Sequence, residues 1–180
     1  MKLNNILWRI KSINPNIIFV GGFDDNNERN GYWEWYYNNG NLRKKGNYIN
    51  GKKEGYWEQY YPNGNIQYKG KYINGIKEGY WELYWANHVL WERGYYINGL
   101  KHGMYYYYNS NGYVLSITEY YYGKRHGYNS YYINNSLSYK SFYYNDSFVF
   151  YGVEIFYYKL LIKLKKYVNL YLRNGQLPNG

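Results

Sequence analysis

Gly55-Tyr56-Trp57-Glu58-Gln59-Tyr60-Tyr61-Pro62-Asn63-Gly64-Asn65-Ile66-Gln67-Tyr68-Lys69-Gly70-Lys71-Tyr72-Ile73-Asn74-Gly75-Ile76-Lys77-Glu78 (residues 55–78) is one full period of this chain. Its opening recurs 24 residues away on either side, as Gly31-Tyr32-Trp33-Glu34 and Gly79-Tyr80-Trp81-Glu82. The register continues, with decay, through Gly103-Met104-Tyr105-Tyr106 and Gly127-Tyr128-Asn129-Ser130. A fixed period in this range marks a stack of similar small units, each of which buries its neighbour's apolar surface.

Inside the unit, an aromatic run (Tyr56, Trp57, Tyr60, Tyr61) meets Asn63-Gly64, and a second run (Ile66 to Tyr72) meets Asn74-Gly75. Aromatic and β-branched runs of this length read as strands. Asn-Gly is the strongest two-residue hairpin signal, because both central residues take positive φ. Each unit is therefore expected to be a β-hairpin, with a second Asn-Gly turn leading into the next. No apolar stripe of helical period survives the glycine spacing.

Two-residue turns fix the register. Pairing outward from Asn63-Gly64 sets Trp57 opposite Gly70, with Trp33 opposite Gly46 and Trp81 opposite Gly94. An indole facing glycine can lie over bare backbone. The same register sets Glu34, Glu58 and Glu82 opposite Lys45, Lys69 and Arg93, pairs worth roughly 0.2 to 1 kcal/mol each. Further on, Tyr105 falls opposite Thr118, Tyr106 opposite Ile117 and Asn129 opposite Phe142. Alternation then divides the faces. One carries Trp33, Trp57 and Trp81, with Tyr37, Tyr61 and Trp85, Leu42, Ile66 and Leu90, and Tyr48, Tyr72 and Tyr96. The other carries Tyr-Glu-Tyr triplets and the charge ladder.

The run G-Y-W-E-x-Y-Y-x-N-G-N-[LI], followed by K-G-x-Y-I-N-G-x-K-[EH]-G, resembles MORN repeats, and within them the variant found in bacterial YwqK-like proteins. The resemblance is strong over residues 31–102 and weakens towards 150. It implies an elongated antiparallel sheet used for scaffolding, protein contact or attachment near membranes. YwqK-like analogy adds an antitoxin-like inhibitor as an alternative.

The expected fold is mainly β: an elongated single-layer antiparallel sheet of stacked hairpins, with a short N-terminal helix and a C-terminal amphipathic helix as cap. Residues 1–14 form that N-terminal helix, from Leu3, Ile6, Leu7, Ile10 and Ile13 at helical spacing before Asn14-Pro15. Residues 15–150 form the array, best in 31–126, with a first strand at Ile17 to Val20 and turns at Gly21-Gly22 and Asp24 to Asn30. Residues 151–180 hold the cap and a polar tail. There Tyr157, Leu160, Leu161, Leu164, Tyr167, Val168, Tyr171 and Leu172 share one helical face, with lysines on the other. This helix is expected to cover the late hairpins, where Tyr106, Tyr108, Val114, Leu115, Ile117 and Tyr120 to Tyr122 make both faces apolar.

Composition bounds the function. The chain has no cysteine, which excludes disulfides and thiolate metal sites. Aromatic residues make up 25%, 32 of them tyrosine, too many for a disordered chain. A mean hydropathy of −0.81 argues against a membrane span, and Asn4, Asn5 and Arg9 interrupt any signal-peptide core. This points to an intracellular protein, cytoplasmic or membrane-peripheral. Catalysis needs convergent groups, and a repeat array disperses them. His102 and His126 occupy one repeat position about 10 Å apart, too far to share a metal held at about 2.0 Å. No enzyme activity, metal or cofactor is expected.

Two kinds of binding residue stand out. Trp33, Tyr37, Trp57, Tyr61, Trp81 and Trp85 would form a protein-binding aromatic face, since Trp and Tyr dominate binding hot spots. Lys53, Lys77, Lys101 and Arg125 recur after each inter-repeat turn, opposite Tyr48, Tyr72, Tyr96 and Tyr120, with cation–π packing available. Together with Lys159, Lys163 and Lys166, in a chain of net charge +10, they would contact anionic lipid. Nucleic acid is disfavoured, because Glu interleaves the tyrosines and repels phosphate. A homodimer through an edge strand or the aromatic face fits the pattern.

Overall fold

The computed structural model describes Leu7–Trp8 and residues 18–151. Thirteen antiparallel strands form one open sheet in chain order. They are β1 (Leu7–Trp8), β2 (Ile18–Phe23), β3 (Arg29–Tyr36), β4 (Leu42–Ile49), β5 (Lys52–Tyr60), β6 (Ile66–Ile73), β7 (Ile76–Tyr84), β8 (Leu90–Ile97), β9 (Leu100–Tyr108), β10 (Val114–Tyr121), β11 (Lys124–Ile133), β12 (Ser136–Tyr144) and β13 (Ser147–Tyr151). The described residues contain no helix, and hence none able to cross a membrane. Of the expected N-terminal helix only Leu7 and Trp8 are described, as a short strand paired to β2. The rest of it, and the expected C-terminal helix with Lys159, Lys163 and Lys166, lie outside the described residues. Gly21 and Gly22, expected in a turn, lie inside β2.

The turns between repeats are as the sequence indicates. Asn74 and Gly75 take φ of 51° and 82°, and Ile73 pairs with Ile76 across them. The turn within the hairpins β3–β4, β5–β6, β7–β8 and β9–β10 differs, whereas β11–β12 turns on two residues, Asn134 and Asn135, at φ 49° and 62°. Gly64 N–H bonds to the Tyr61 carbonyl at 2.9 Å, and Tyr61 N–H to the Asn65 carbonyl at 2.8 Å. Only Gly64 has positive φ, at 87°. This is a three-residue loop, a type I turn closed by a left-handed glycine. Pro62 suits the first central position of a type I turn through its fixed negative φ, but the same loop forms with Asn38, Ala86 and Ser110 at that position. The loop shifts the pairing by one residue, so Tyr60 meets Ile66, and a bulge at Gln67 shifts it back. Trp57 therefore pairs with Gly70 after all, Trp33 with Gly46, Trp81 with Gly94 and Tyr105 with Thr118. The late repeat departs: Asn129 pairs with Ser141, and Phe142 with Tyr128.

A second bulge sits at the glycine that opens each unit. Between Gly70–Trp81 and Lys71–Glu78 the pairing slips by two residues, around Gly79 at φ 70°. A slip of two keeps every side chain on its face. Its effect is to bring each tryptophan beside the glycine of the preceding strand, and the indoles lie there. A Cβ on Gly46 would stand 2.4 Å from Trp57, one on Gly70 2.2 Å from Trp81, and one on Gly21 2.1 Å from Trp33. Tyr105 covers Gly94 in the same way, at 2.6 Å. The ring thus lies over the previous repeat's glycine, not over its own hairpin's. Where the ring is lost the glycine is lost with it: Asn129 takes the ring's position, Thr118 the glycine's, and the Thr118 hydroxyl donates to Asn129 Oδ1 at 2.7 Å.

Trp33, Trp57, Trp81 and Tyr105 are at most 1% exposed. With Phe19, Trp35, Tyr48 and Tyr72, the three tryptophans give a one-sided core of stacked, edge-on and tilted rings, such as the edge-on Tyr48–Trp57 and Tyr72–Trp81, both at 4.9 Å, and the stacked Phe19–Trp33 at 5.2 Å. Neighbouring loops are also bonded. Asn63 and Asn65 both donate to the Ala86 carbonyl, at 2.9 and 2.8 Å. Glu54 accepts from Asn74 N–H at 2.8 Å, and Glu78 does the same with Asn98.

Candidate functional site

The aromatic face carries a row of cations directly over its rings. Lys53 Nζ stands 4.4 Å from the Trp57 ring centre and 4.5 Å from that of Tyr72. Lys77 repeats this over Trp81 and Tyr96, at 4.3 and 4.8 Å, and Lys101 over Tyr105 at 4.6 Å. Arg29 stands at the same position one repeat earlier, over Trp33, Tyr48 and Trp35 at 5.4, 5.5 and 5.9 Å. The expected cation–π packing is present, but with a different tyrosine. Lys53 pairs with Tyr48 in the ladder, while its ammonium reaches Tyr72 on the following hairpin. Arg125 likewise lies over Tyr143, at 4.2 Å. Such contacts are worth about 0.5 to 2 kcal/mol, more as the cation is desolvated.

The six expected aromatic contacts fall into two groups. Trp33, Trp57 and Trp81 are the buried floor beneath these cations. Tyr37, Tyr61 and Trp85 are half-buried and bind the next hairpin's backbone. The Tyr37 hydroxyl donates to the Tyr60 carbonyl at 2.8 Å, that of Tyr61 to Tyr84 at 2.8 Å, and Trp85 Nε1 to Tyr108 at 3.2 Å.

The row is not uniform. Lys101 Nζ bonds Glu92 at 2.8 Å, and Arg125 Nε bonds Asp146 at 3.3 Å. Glu92 is only 6% exposed, a buried carboxylate on the aromatic face that the repeat pattern did not reveal. Its signal was in the sequence: position 92 follows Lys44 and Tyr68 at the 24-residue period, so the charge there inverts. Lys101 also donates to the Tyr107 hydroxyl at 2.9 Å, and Tyr107 meets Tyr120 at 3.1 Å. Burial raises the Tyr105 and Tyr107 phenols, so both stay neutral across the physiological range.

Arg29, Lys44, Lys53 and Lys77 have no acidic partner among the described ion pairs. Lys44 Nζ lies 4.2 Å from the Trp35 ring centre. Burial, then the charges of Lys53, Arg29 and Arg43, pull its ammonium down from 10.5 to about 8. Burial, then neighbouring lysine charge, also lowers Lys53.

On the opposite face, two of the ladder lysines are paired with carboxylates. Lys45 bonds Glu58 at 2.8 Å and Lys69 bonds Glu82 at 2.7 Å. Both ion pairs run to the next repeat, not to the carboxylate across the same hairpin. Glu34 instead accepts from the hydroxyls of Tyr32 and Tyr36. Arg93, expected to pair with Glu82, lies over the Tyr106 ring at 4.8 Å. His102 and His126 flank Tyr121 at 5.4 and 5.6 Å. No group of three or more possible metal ligands forms among the described residues.

No protein-family model matches the chain, and no curated protein matches it.

Proposed function

We propose that this chain is a non-catalytic repeat scaffold of the MORN-variant type, which binds another protein through the aromatic face and its cations. The observation that carries this reading is the lone layer. Among the described residues no second sheet or helix covers the ring row, and its outer surface is a line of ammonium and guanidinium groups. The buried tryptophans set the position of that line. The contact itself falls to Arg29, Lys53 and Lys77, with Tyr37, Tyr61 and Trp85 at the margin. An acidic, aromatic-bearing partner surface fits it, because such a surface supplies the missing counter-charge.

The test is face-specific. Capture by the whole chain is compared for Lys53→Glu/Lys77→Glu and for Tyr56→Ser/Tyr80→Ser, which alters exposed rings on the other face. A partner lost with the first pair and kept with the second supports the reading. The reverse assigns binding to the Tyr-Glu-Tyr face and overturns it.

Attachment to an anionic membrane is the second reading, favoured by Lys53 and Lys77, which form no ion pair among the described residues. Lys101 and Arg125 contribute less, being already paired to carboxylates. Equal flotation with neutral and anionic vesicles removes this reading.

A further inference from the structure

Three cations converge at the N-terminal end of the aromatic face. Arg29 and Lys44 share the Trp35 ring, at 5.9 and 4.2 Å from its centre. Lys53 stands over Trp57, whose ring lies 5.8 Å from that of Trp35 and 4.9 Å from that of Tyr48. The rings form a dry floor, which removes water from one side of the charges and strengthens whatever binds on the other.

The carboxylates of the surrounding repeats are engaged elsewhere. Glu34 and Glu58 lie on the opposite face with Tyr32, Tyr36, Lys45 and Tyr60. Glu54 accepts from Asn74 N–H, and the Glu28 side chain lies beside the Gly51 turn. Packing does not demand a cation at position 44 either, because the corresponding positions hold Tyr68, Glu92 and Ser116. Two repeats further on, Glu92 occupies this position and bonds Lys101 at 2.8 Å. The same fold therefore has a neutralised form of the site, and the first repeats lack it.

We infer that Arg29, Lys44 and Lys53 bind a compact, multiply charged oxyanion of the phosphate class above the Trp35–Tyr48–Trp57 floor. Guanidinium offers a two-pronged donor to tetrahedral oxyanions, and ammonium groups add point charges with rotatable donors. Three positive charges without an ion-paired carboxylate among the described residues call for an anion carrying two or three negative charges. This inference shares Arg29 and Lys53 with the protein-partner reading but adds Lys44, which that reading does not use, so the two can fail separately.

The experiment is calorimetric titration of the whole chain with sodium tripolyphosphate at pH 7 and fixed ionic strength. One site per chain is expected, weakened more than tenfold by Lys44→Glu and by Arg29→Gln. Lys71→Gln removes one exposed charge on the opposite face and is expected to change affinity less than twofold. Lys44→Glu installs the carboxylate of the later repeat, so it keeps or raises the unfolding temperature while abolishing binding, which separates lost binding from lost folding. Acylation mapping at pH 8 gives a second readout on unaltered protein: Lys44 reacts ahead of Lys71, and tripolyphosphate protects it. Vesicles of phosphatidylcholine with phosphatidylinositol 4-phosphate separate the sources. Flotation that tripolyphosphate reverses assigns the site to a lipid headgroup, and binding without flotation assigns it to a free phosphate compound. Absence of saturable binding, or equal weakening by Lys71→Gln, overturns the inference.

Discussion

Compare the junction of β6 with β7 and that of β10 with β11. Both place one residue of the incoming strand against one of the outgoing strand at the same point in the repeat. At the first, Trp81 covers Gly70, fully buried. At the second, Asn129 meets Thr118 through a 2.7 Å hydrogen bond, both also buried. The backbone is nearly the same, but the adhesive differs. A ring on bare backbone gains from area and dispersion, so it depends on shape. A buried hydrogen bond gains little net energy, but is costly when one partner is removed. The array therefore has two ways of joining repeats, with opposite sensitivities to substitution.

The largest effect should come from adding one methyl group at the first junction. Gly70→Ala puts a carbon 2.2 Å from the Trp81 ring, with backbone beneath it. The indole must lift off, and a destabilisation of about 3 kcal/mol is expected, at the upper end for overpacking. Denaturant unfolding measures it. Gly40→Ala is the control for a glycine with open space around it, where only the left-handed φ of 81° penalises the change. An equal loss at both positions would mean that ring contact is not what glycine serves at 70.

The second junction should respond to polarity instead. Thr118→Val preserves shape and leaves Asn129 Oδ1 without its donor, at a cost of about 1 to 2 kcal/mol. Asn129 keeps its other bond, from Nδ2 to the Tyr131 hydroxyl at 2.8 Å, which holds the side chain in place. Thr118→Ser retains the donor and should recover most of the loss. If Ser is as damaging as Val, the Thr methyl matters and the hydrogen bond does not.

This contrast also shows what the residues alone disclosed. The hairpins, the faces and the Trp–Gly pairing were legible, because Asn-Gly turns and a strict period fix them. The pairing came out right through two compensating features, the three-residue loop at Pro62-Asn63-Gly64 and the bulge at Gln67. What stayed hidden lies between repeats. A turn names a residue's partner on one flank only, whereas a residue inside a sheet has two. Trp57 over Gly46, Lys45 to Glu58, Lys53 over Tyr72 and Tyr61 to Tyr84 all cross to a neighbouring repeat. The bulge at the opening glycine, which makes these contacts possible, has no turn signal of its own. The uncompensated cations were visible as a count, but their partners could not be assigned until that second flank was known.

The smallest effects come from two lysines on opposite faces, and they should have opposite signs. The hydrogen bond to Glu82 is the main cause that raises Lys69, to about 12. Its stabilisation is complete below the unfolded value of 10.5 and is lost as pH rises through about 12. Lys44 is lowered to about 8, by burial first and then by Lys53, Arg29 and Arg43. Here the unfolded chain holds the proton more tightly, so the charge destabilises the fold at full strength below about 8, and the penalty fades between there and 10.5. Lys69→Gln should therefore lower stability at pH 7, and Lys44→Gln should raise it. Both side chains are partly in water, so screening holds each change under about 1 kcal/mol. The informative quantity is the pH dependence of each difference from the unaltered chain, measured at pH 7 and pH 10. The Lys44→Gln advantage should shrink over that interval, while the Lys69→Gln deficit stays nearly constant. An advantage that does not shrink would mean that neither burial nor the charges of Lys53, Arg29 and Arg43 lowers the Lys44 ammonium, and the two faces would then differ in packing alone.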